Sequence, residues 1–479
     1  MLEGLEISEI RLSNLEYSKR LDAEYYRPLF LKYEMLLKGK KYSSLIDVCS
    51  FLIGPFGSAF TVENYTENQK YRYIRGKDIK QMRLMDDDNV YMPEADFKRL
   101  SKYALRENDI LVSVVGTLGN AAIVQKEHLP AIFSCKSTVL RVKNISPTYL
   151  LAYINTKYAR SLLLRKERGA IQKGLNLDDL KTLSVYLASE KIQHAIQHIF
   201  ERSLVTEKQA KSTYASAEFL LLDIFGLHNV TSSTQKINIK SFKESFGRTG
   251  RLDAEYYQPK YEQIVSHITI RSYAKLADLV TIRKSIEPGS DFYTDEEDGL
   301  PFLRVADYSK CGITIPQRKL KNSFVVENYE KICTLKLKKN TILFSKDGSV
   351  GQAYCLREDV DFITSGAILH LSIKETTKLL PDYLTLVQMQ AERDAGGSII
   401  LHWRVGEIEE VYIPLVSMKT QTQIANLVQK SFFLKAESKR LLEVAKRAVE
   451  VAIEQNEERA MALLMQESEM RHHEKTVEC

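Results

Sequence analysis

The most constraining feature of this sequence is a long internal repeat. The segment Arg20–Pro28 (RLDAEYYRP) returns as Arg251–Pro259 (RLDAEYYQP), 231 residues further along, with eight of nine positions identical. Asn108–Ser113 (NDILVS) returns as Asn340–Ser345 (NTILFS), 232 residues further along. Solenoid repeats have periods of roughly 20–50 residues, so this is a duplicated domain. We expect the two copies to be related by a pseudo-twofold axis.

Both copies show the same order of predicted elements. Segments rich in β-branched and aromatic residues, bounded by turn residues, predict strands; they are Tyr71–Arg75, Asp109–Val115, Ala121–Val124, Ser137–Val142, Leu183–Leu187 and Val411–Leu415. A periodic apolar stripe predicts a helix from about Ser189 to Phe225, ending at Gly226, that includes Ile192, Ile196, Ile199 and Phe219. A second, coiled-coil-like helix is predicted from about Lys419 to about Glu469.

These elements predict an α+β protein with two homologous mixed α/β domains joined by two long, antiparallel, coiled-coil-like helices. The predicted boundaries are a first globular domain at 1–188, a central helix at 189–226, a linker at 227–250, a second globular domain at 251–416, a C-terminal helix at 417–470 and a tail at 471–479. Two helices of this length can cover each other's apolar stripes. Ordinary dimerisation helices are the alternative interpretation.

Composition excludes several classes of protein. Hydrophobic residues make up 44% and charged residues 27% of the chain, which is typical of a folded globular protein. There is no run of 18 apolar residues, and the acidic N-terminus lacks the apolar segment of a secretory signal. The six cysteines are scattered singly without a CxxC pair. We therefore expect a cytoplasmic protein with reduced thiols, no membrane span and no zinc site.

Motifs of the common catalytic classes are missing from the sequence. No glycine–lysine pair is followed by Ser or Thr, as a phosphate-binding loop requires, and His-Glu-x-x-His is absent. The eleven prolines are never adjacent, so the Pro-Pro-aromatic motif of adenine methyltransferases is also missing. Pro381-Asp382 is followed by Glu392-Arg393-Asp394, without the lysine of a Pro-Asp…Glu-x-Lys nuclease. The sequence predicts a chain without catalytic activity, metal or bound cofactor.

Two glycine-bearing turns and a set of basic residues are the candidate site. The turns at Gly116–Asn120 and Gly348–Gln352 are interpreted either as hairpin turns or as loops that approach phosphate, and the two interpretations are compatible. The net charge of +6 is compatible with an anionic partner. Arg and Lys bind phosphates, and Arg and Asn read base edges; the alternative is an ordinary solvated surface. The candidates are Lys70, Arg72, Arg75, Lys77, Thr117, Asn120, Arg168, Lys173, Arg283, Lys284, Arg304, Lys346, Ser349, His402 and Arg404. Trp403 is either a core residue or a neighbour of the nucleic acid.

Taken in order, these motifs resemble the specificity subunits of type I restriction–modification systems, the HsdS family. The resemblance rests on RLDAEYY opening each half, on Gly54–Ser58, on Asp298–Asp307 and on Asn340–Ser345, within the layout of two domains and two helices. It implies a non-catalytic DNA-binding subunit active in phage defence. Each target recognition domain would bind one half of a bipartite double-stranded site, and the helices would set the spacing and dock two modification (methyltransferase) subunits.

The resemblance also implies where the chemistry resides. S-adenosylmethionine would be bound by the modification subunits, and ATP and Mg would be bound by restriction subunits that translocate and cut DNA. Two alternatives stay open. The chain could be the recognition subunit of another DNA-modifying or phage-defence system, or a structural scaffold that binds no nucleic acid.

Overall fold

The computed structural model describes residues 7–18, 20–86, 88–169, 173–227, 237–254, 256–294, 298–310, 312–314, 316, 318–384 and 402–477. The chain divides into two compact units. Unit 1 comprises Met1–Thr206 together with Glu437–Cys479, and unit 2 comprises Glu207–Ala436. Unit 1 is therefore built from two separate stretches of chain.

Both units contain helices and strands. The described α-helices are Leu12–Ser18, Pro28–Lys38, Leu45–Val48, Glu94–Arg99, Pro147–Ile154, Lys157–Leu164, Leu177–Lys181, Glu190–Phe225, Phe246–Thr249, Pro259–Thr269, Leu276–Leu279, Asn322–Glu327, Tyr329–Thr334, Pro381–Leu384, Val405–Glu409, Met418–Glu454 and Glu457–Val477. None of the described helices is both long and apolar enough to cross a bilayer.

The described part of unit 1 includes nine strands. They are β1 (Tyr42–Ser44), β2 (Cys49–Ile53), β3 (Tyr71–Ile74), β4 (Val90–Met92), β5 (Ile110–Ser113), β6 (Ala121–Ile123), β7 (Ala131–Phe133), β8 (Ser137–Val142) and β9 (Ser184–Tyr186). They form one antiparallel sheet in the order β2-β8-β5-β6, a second sheet in the order β4-β3-β7 and the pair β1-β9. Strands β3 and β7 are parallel.

Unit 2 repeats this topology. Its strands are β10 (Tyr273–Lys275), β11 (Val280–Lys284), β12 (Tyr293–Thr294), β13 (Leu300–Leu303), β14 (Tyr308–Ser309), β15 (Gly312–Ile313), β16 (Arg318–Leu320), β17 (Ile342–Ser345), β18 (Ala353–Cys355), β19 (Ile363–Thr364), β20 (Ile368–Ile373) and β21 (Tyr412–Pro414). The sheet β11-β20-β17-β18 corresponds strand for strand to β2-β8-β5-β6, and the parallel pair β13–β19 corresponds to β3–β7. The predicted domain duplication and the α+β class are confirmed.

The residues that recur in the two copies have the same structural roles. Asn108 and Asn340, just before β5 and β17, have φ of 68° and 69°, a left-handed conformation that asparagine tolerates better than most residues. The Ser113 hydroxyl bonds to the Thr117 carbonyl and accepts from the Asn120 N–H at 3.1 Å. The Ser345 hydroxyl does the same at the hairpin between β17 and β18, with the Gln352 N–H at 2.9 Å. The hairpin interpretation of both glycine turns is confirmed.

The repeated RLDAEYY segment forms the same compact cluster in each unit. Arg20 Nε donates to Asp22 at 2.6 Å, its guanidinium lies 4.9 Å from the centre of the Tyr25 ring, and the Tyr26 hydroxyl donates to the Arg20 carbonyl at 3.1 Å. In unit 2 the corresponding values for Arg251 are 2.8 Å to Asp253, 4.6 Å to the Tyr256 ring and 3.2 Å from the Tyr257 hydroxyl. The repeated tyrosines therefore belong to the scaffold.

The first long helix, Glu190–Phe225, matches its prediction closely. In unit 1 its apolar face packs with Leu441, Ala445 and Val449 of the second long helix. The Ser203 and Ser438 side chains lie 3.0 Å apart, and the Ser189 N–H, just before the first helix, donates to Glu457, just after the second, at 2.9 Å. The two helices are thus antiparallel within unit 1.

In unit 2 the Ser431 hydroxyl of the second long helix donates to the Ala210 carbonyl of the first at 2.7 Å. Phe219, which the periodicity placed on the apolar stripe, is 62% exposed, so that part of the prediction was wrong.

The predicted C-terminal helix is two helices. Met418–Glu454 ends before Gln455, and Glu457–Val477 follows. The Asn456 side chain accepts from the Arg459 N–H at 2.9 Å, which satisfies one of the free donors at the start of the new helix. A single continuous helix to about residue 469 was therefore a wrong expectation.

Candidate nucleic-acid interface

In unit 1 the segment Ser134–Lys136, between β7 and β8, brings three loops together. A Cβ on Gly54 would lie 2.5 Å from the Ser134 carbonyl oxygen, so only glycine permits this approach. A Cβ on Gly76 would lie 3.0 Å from Lys136 Cβ. The Val114 N–H, ahead of the first glycine turn, donates to the Lys136 carbonyl at 2.9 Å. We call this arrangement, with its three loops, the junction.

Unit 2 has an equivalent junction, but its glycine lies at a different position. The Lys346 N–H donates to the Ala367 carbonyl at 2.9 Å, as Val114 does to Lys136. Here the glycine is Gly366, and a Cβ on it would lie 2.8 Å from Glu287 Oε1. The glycine of unit 2 thus lies on the opposite segment, and its neighbour is the end of a flexible side chain rather than a backbone atom.

A fourth loop joins each junction ahead of a short helix. The Leu175 N–H donates to the Val114 carbonyl at 2.9 Å, and the Trp403 N–H donates to the Lys346 carbonyl at 2.8 Å. Trp403 therefore occupies in unit 2 the position of Leu175 in unit 1. Its side chain is 2% exposed and its ring centre lies 5.7 Å from that of Phe344. Of the two interpretations of Trp403, the structure supports the core residue.

The junctions collect many of the predicted site residues at exposed positions. Lys77 follows Gly76, Thr117 lies in the glycine turn, and Lys173 precedes Gly174, which pairs with Val115. In unit 2, Ser349 lies in the glycine turn, and His402 pairs with Asp347 through the backbone. The remaining exposed candidates are Lys70, Arg168, Arg283, Lys284 and Arg404. Their role in binding stays a prediction.

Two other candidate residues are buried, and their side chains form hydrogen bonds within unit 1. Arg72 is 6% exposed and donates to Asp86 at 2.7 Å and to the Met85 carbonyl at 2.5 Å. Asn120 is also 6% exposed; it donates to the Ile79 carbonyl at 3.2 Å and accepts from Arg160 at 2.8 Å. Both side chains stabilise unit 1 in the structure as it stands.

Arg75 and Arg304 recur at equivalent positions, and each pairs with a buried aspartate three residues later. Arg75 Nη2 lies 2.8 Å from Asp78, and Arg304 Nε lies 3.4 Å from Asp307. The Arg75 side chain is 16% exposed, whereas that of Arg304 is 40% exposed. Arg304 therefore has more of its guanidinium available to a ligand.

Carboxylates accompany the exposed cations of both junctions. Lys77 lies 2.8 Å from Asp88, Arg168 lies 3.2 Å from Asp179, and Lys173 pairs with Glu167. Lys346 pairs with Asp347, which also lies 2.8 Å from His402 Nδ1. Partial burial would raise the pKa of Asp88, but Lys77 and Arg75 outweigh it and lower that pKa. Lys77–Asp88 and Lys173–Glu167 are the more exposed of these pairs, and exposed ion pairs contribute little to stability.

The prediction missed Phe56 and Lys136, two exposed residues of the unit 1 junction. Phe56 is 86% exposed. Its sequence signal, an aromatic residue inside the turn-forming stretch Gly54–Ser58, was used only as a family motif. Among the described residues, no group of three His, Cys, Asp or Glu side chains is placed to hold a metal ion.

Comparison with known proteins gives a family match to both copies. The model described as "Type I restriction modification DNA specificity domain" matches residues 38–212 and 272–444. The EcoBI specificity subunit of a type I restriction enzyme from Escherichia coli is 28% identical over 144 residues, which are 29% of this chain. That match spans 28% of the relative's own length.

Two solved structures are also similar. The S subunit of a type I restriction–modification system from M. genitalium has 14% identity and a TM-score of 0.37, over 85% of this chain and 94% of that one. The HsdS subunit from Thermoanaerobacter tengcongensis has 15% identity and a TM-score of 0.27, over 87% of this chain and 97% of that one.

Proposed function

The chain belongs to the type I restriction–modification DNA specificity family, and from this membership we propose that each unit binds one half of a bipartite duplex DNA site. The observation that carries the proposal is the junction, built twice on one backbone frame with different exposed side chains. A shared frame keeps each loop in the same place, while the changed side chains read a different sequence.

The loop differences are concrete. Unit 1 exposes Ile53 at the end of β2, where unit 2 exposes Lys284 at the end of β11, and the exposed Phe56 stands where unit 2 has the buried Pro288. At the end of the fourth loop, unit 1 has Asn176 and unit 2 has Arg404, each at the N-terminal cap of a short helix. Two units that bound the same half-site would not need these changes. This divergence favours DNA recognition over a purely structural scaffold.

Catalysis would lie in partner subunits. The modification subunits would bind S-adenosylmethionine and dock on the long helices, and restriction subunits would use ATP and Mg. The chain itself would set which DNA is methylated and how far apart the two half-sites lie. It would act in the cytoplasm, where host and phage DNA are found.

The test of this function is an exchange of one recognition domain. Residues 50–185 are replaced by the matching part of a relative, and the chain is expressed with its modification subunits in a host whose DNA is then sequenced for methylation. We expect one half of the methylated motif to change and the other half to stay the same. A matched exchange of the equivalent part of unit 2 should change only the opposite half.

Two outcomes would contradict the proposal. If both halves changed together in either exchange, the units would not read DNA independently. If no methylation depended on this chain and gel shifts with the modification subunits showed no DNA binding, the scaffold alternative would replace it. Methyl transfer by the isolated chain would contradict the assignment of catalysis to the partners.

A further inference from the structure

The loop that follows β2 in unit 1 exposes an unusual amount of apolar side chain. Ile53 is 52% exposed, Phe56 is 86% exposed and Val62 is 68% exposed. Single exposed apolar residues are ordinary on protein surfaces, but a local concentration of them marks a place where something binds. Phe56 is the most exposed of the three.

The backbone on both sides of Phe56 is anchored. Pro55 is buried, and Phe60 is 4% exposed with its ring centre 4.8 Å from that of Tyr73. The Ala59 N–H donates to the Phe56 carbonyl at 2.8 Å, and Arg99 donates to the Ala59 carbonyl at 2.8 Å. Phe56 is therefore exposed on a loop whose backbone is already held in place. The loop would lose little conformational entropy when Phe56 binds a ligand.

Exposed cations belong to the same junction as Phe56. A Cβ on Gly57 would lie 3.6 Å from Cys135 Sγ, and the next residue is the exposed Lys136. Lys77, whose side chain is 61% exposed, follows Gly76, which contacts Lys136. A flat apolar ring beside cations fits a ligand with flat apolar faces and negative charges. Base pairs between phosphate backbones have this chemistry.

We propose that Phe56 inserts between two base pairs of the half-site bound by unit 1 and unstacks them. The inference rests on the proposed DNA-binding function and adds a mode of binding to it. Phenylalanine wedges of this kind kink duplex DNA and make the affinity depend on how easily a base step opens. Unit 1 would then select its half-site partly through the deformability of one step.

Among the residues that the structure describes, the segment just after β11 in unit 2 has no aromatic side chain as exposed as Phe56. Arg283 and Lys284 are exposed at the end of β11, and Pro288, which stands where unit 1 has Phe56, is buried. A buried proline ring is not available to bases, and two cations precede it. Unit 2 therefore holds its half-site through phosphate contacts at this loop, and the two units bind DNA by different means.

The first experiment uses tryptophan as a reporter in the full-length chain. The chain has one tryptophan, Trp403, which is 2% exposed and contributes a constant background. Phe56→Trp is titrated with a duplex of about 30 base pairs that carries both half-sites read from the methylated motif. We expect strong quenching, because an indole stacked on bases is quenched. The matched control is Phe219→Trp, on the first long helix, which should change little.

The second experiment reports on the DNA. The same duplex carries 2-aminopurine at successive positions of the unit 1 half-site. With the wild-type chain, we expect a rise in fluorescence at one step only. Phe56→Ala should abolish the rise and weaken binding ~5- to 100-fold. Phe56→Leu should retain part of both effects, and Pro288→Ala should leave them unchanged. Thermal unfolding of the Phe56 variants should match that of the wild type, since Phe56 is exposed.

The outcomes separate the two proposals. If the wild-type chain binds the duplex but no 2-aminopurine position responds, or if Phe56→Ala retains the response, the wedge is overturned and DNA binding stands. If the wild-type chain does not bind the duplex with its modification subunits present, the proposed function and the wedge fall together.

Discussion

Arg72 and Lys77 are both basic residues near β3, yet the structure gives them opposite environments. The Arg72 side chain is 7% exposed against Asp86, whereas the side chains of Lys77 and its partner Asp88 are 61% and 58% exposed. A buried ion pair that loses one partner leaves an uncompensated charge, and an exposed pair contributes little to stability. Replacement of Arg72 should therefore affect stability, whereas replacement of Lys77 should affect DNA binding.

Lys77→Ala should leave the fold intact and weaken DNA binding evenly across sequences. The salt dependence of binding should fall by about one phosphate contact. Arg72→Ala should instead destabilise unit 1 by about 1–3 kcal/mol, because it removes a buried guanidinium that bonds to Asp86 and to the Met85 carbonyl. Binding titrations at several salt concentrations, together with urea unfolding, measure both. If Arg72→Ala had normal stability but a weaker salt dependence of DNA binding, Arg72 would instead be a phosphate contact in the DNA interface.

Arg404→Ala should act on specificity. Arg404 is exposed beside the unit 2 junction, and loss of a base contact costs about 1–3 kcal/mol on the cognate site. Competition binding of cognate and unrelated duplexes gives the ratio of the two affinities. A ratio that does not change would show that Arg404 is only part of the solvated surface.

His370 should make unit 2 sensitive to acid. It lies on β20, 4% exposed, with Nε2 2.7 Å from the Thr364 hydroxyl, and burial lowers its pKa to about 4, with Arg283 contributing. The histidine of an unfolded chain has a pKa of ~6.5. As the pH falls below this value, the unfolded chain binds a proton at this histidine before folded unit 2 does. The associated stability is present above pH ~6.5 and is lost as the pH falls towards 4, by up to about 3 kcal/mol.

The measurement is urea unfolding followed by Trp403, which lies in the core of unit 2. His370→Asn should flatten the loss of stability between pH 6.5 and 4. The exposed His402→Asn serves as the control and should keep the wild-type slope. If His370→Asn kept that slope too, the acid sensitivity would come from other groups.

At the scale of elements, the sequence predicted several strands and the first long helix, but not the partners of individual side chains. Ser137–Val142 was predicted to the residue, because alternating β-branched residues between turns report local structure directly. The partner of Arg72 is 14 residues away and that of Asn120 is 40 residues away, so neither could be read locally. The break at Gln455-Asn456 was missed because neither residue is a strong helix breaker. Its signal was Asn456 followed by Glu457 and Glu458, a capping pattern.

The long helices are predicted to set the gap between half-sites. Four residues are inserted into both helices, one insertion between Ser203 and Ala210 and the other between Ser431 and Ser438, so that the two buried serine contacts keep their neighbours. Each insertion adds ~6 Å, and DNA rises ~3.4 Å per base pair, so the gap should grow by one or two base pairs. The half-site sequences should stay the same, as methylation sequencing would show.

The control is an insertion in the first helix alone. It shifts that helix past its partner and should reduce stability, because the hydroxyl of Ser203 loses Ser438 or that of Ser431 loses Ala210. An unchanged gap with full methylation in the double insertion would mean that the helices only dock partners.

At the scale of the whole molecule, the core of unit 1 is completed from far along the chain. Leu441, Leu442, Val449 and Leu464 belong to the same buried cluster as Ile192 and Ile196. The Tyr186 hydroxyl donates to Glu457 at 2.9 Å, and Lys157 lies 2.7 Å from Glu454. Unit 2 is the single continuous stretch Glu207–Ala436. The stability of the first copy therefore depends on residues that follow the second.

A chain ended after Ala436 should show this dependence. Residues 7–206 should lose protection against hydrogen exchange and proteolysis, while the sheet β11-β20-β17-β18 should stay protected, because its core is intact. Removal of 471–479 is the control and should leave both units protected, since Leu464 is the last apolar residue of the described core. Equal loss in both units after the longer truncation would show that they fold as one cooperative body.

The discontinuity of unit 1 also has a consequence during translation. Residues 207–436 leave the ribosome as one uninterrupted stretch, and unit 2 can fold as soon as they emerge. The nascent unit 1 has to wait until residues up to Leu464 are made, roughly 260 residues after Thr206. At ~5–20 residues per second this is a delay of roughly 10–50 s. For that time Ile192, Ile196 and their neighbours stay uncovered, so the copy encoded first is the one that most needs a chaperone.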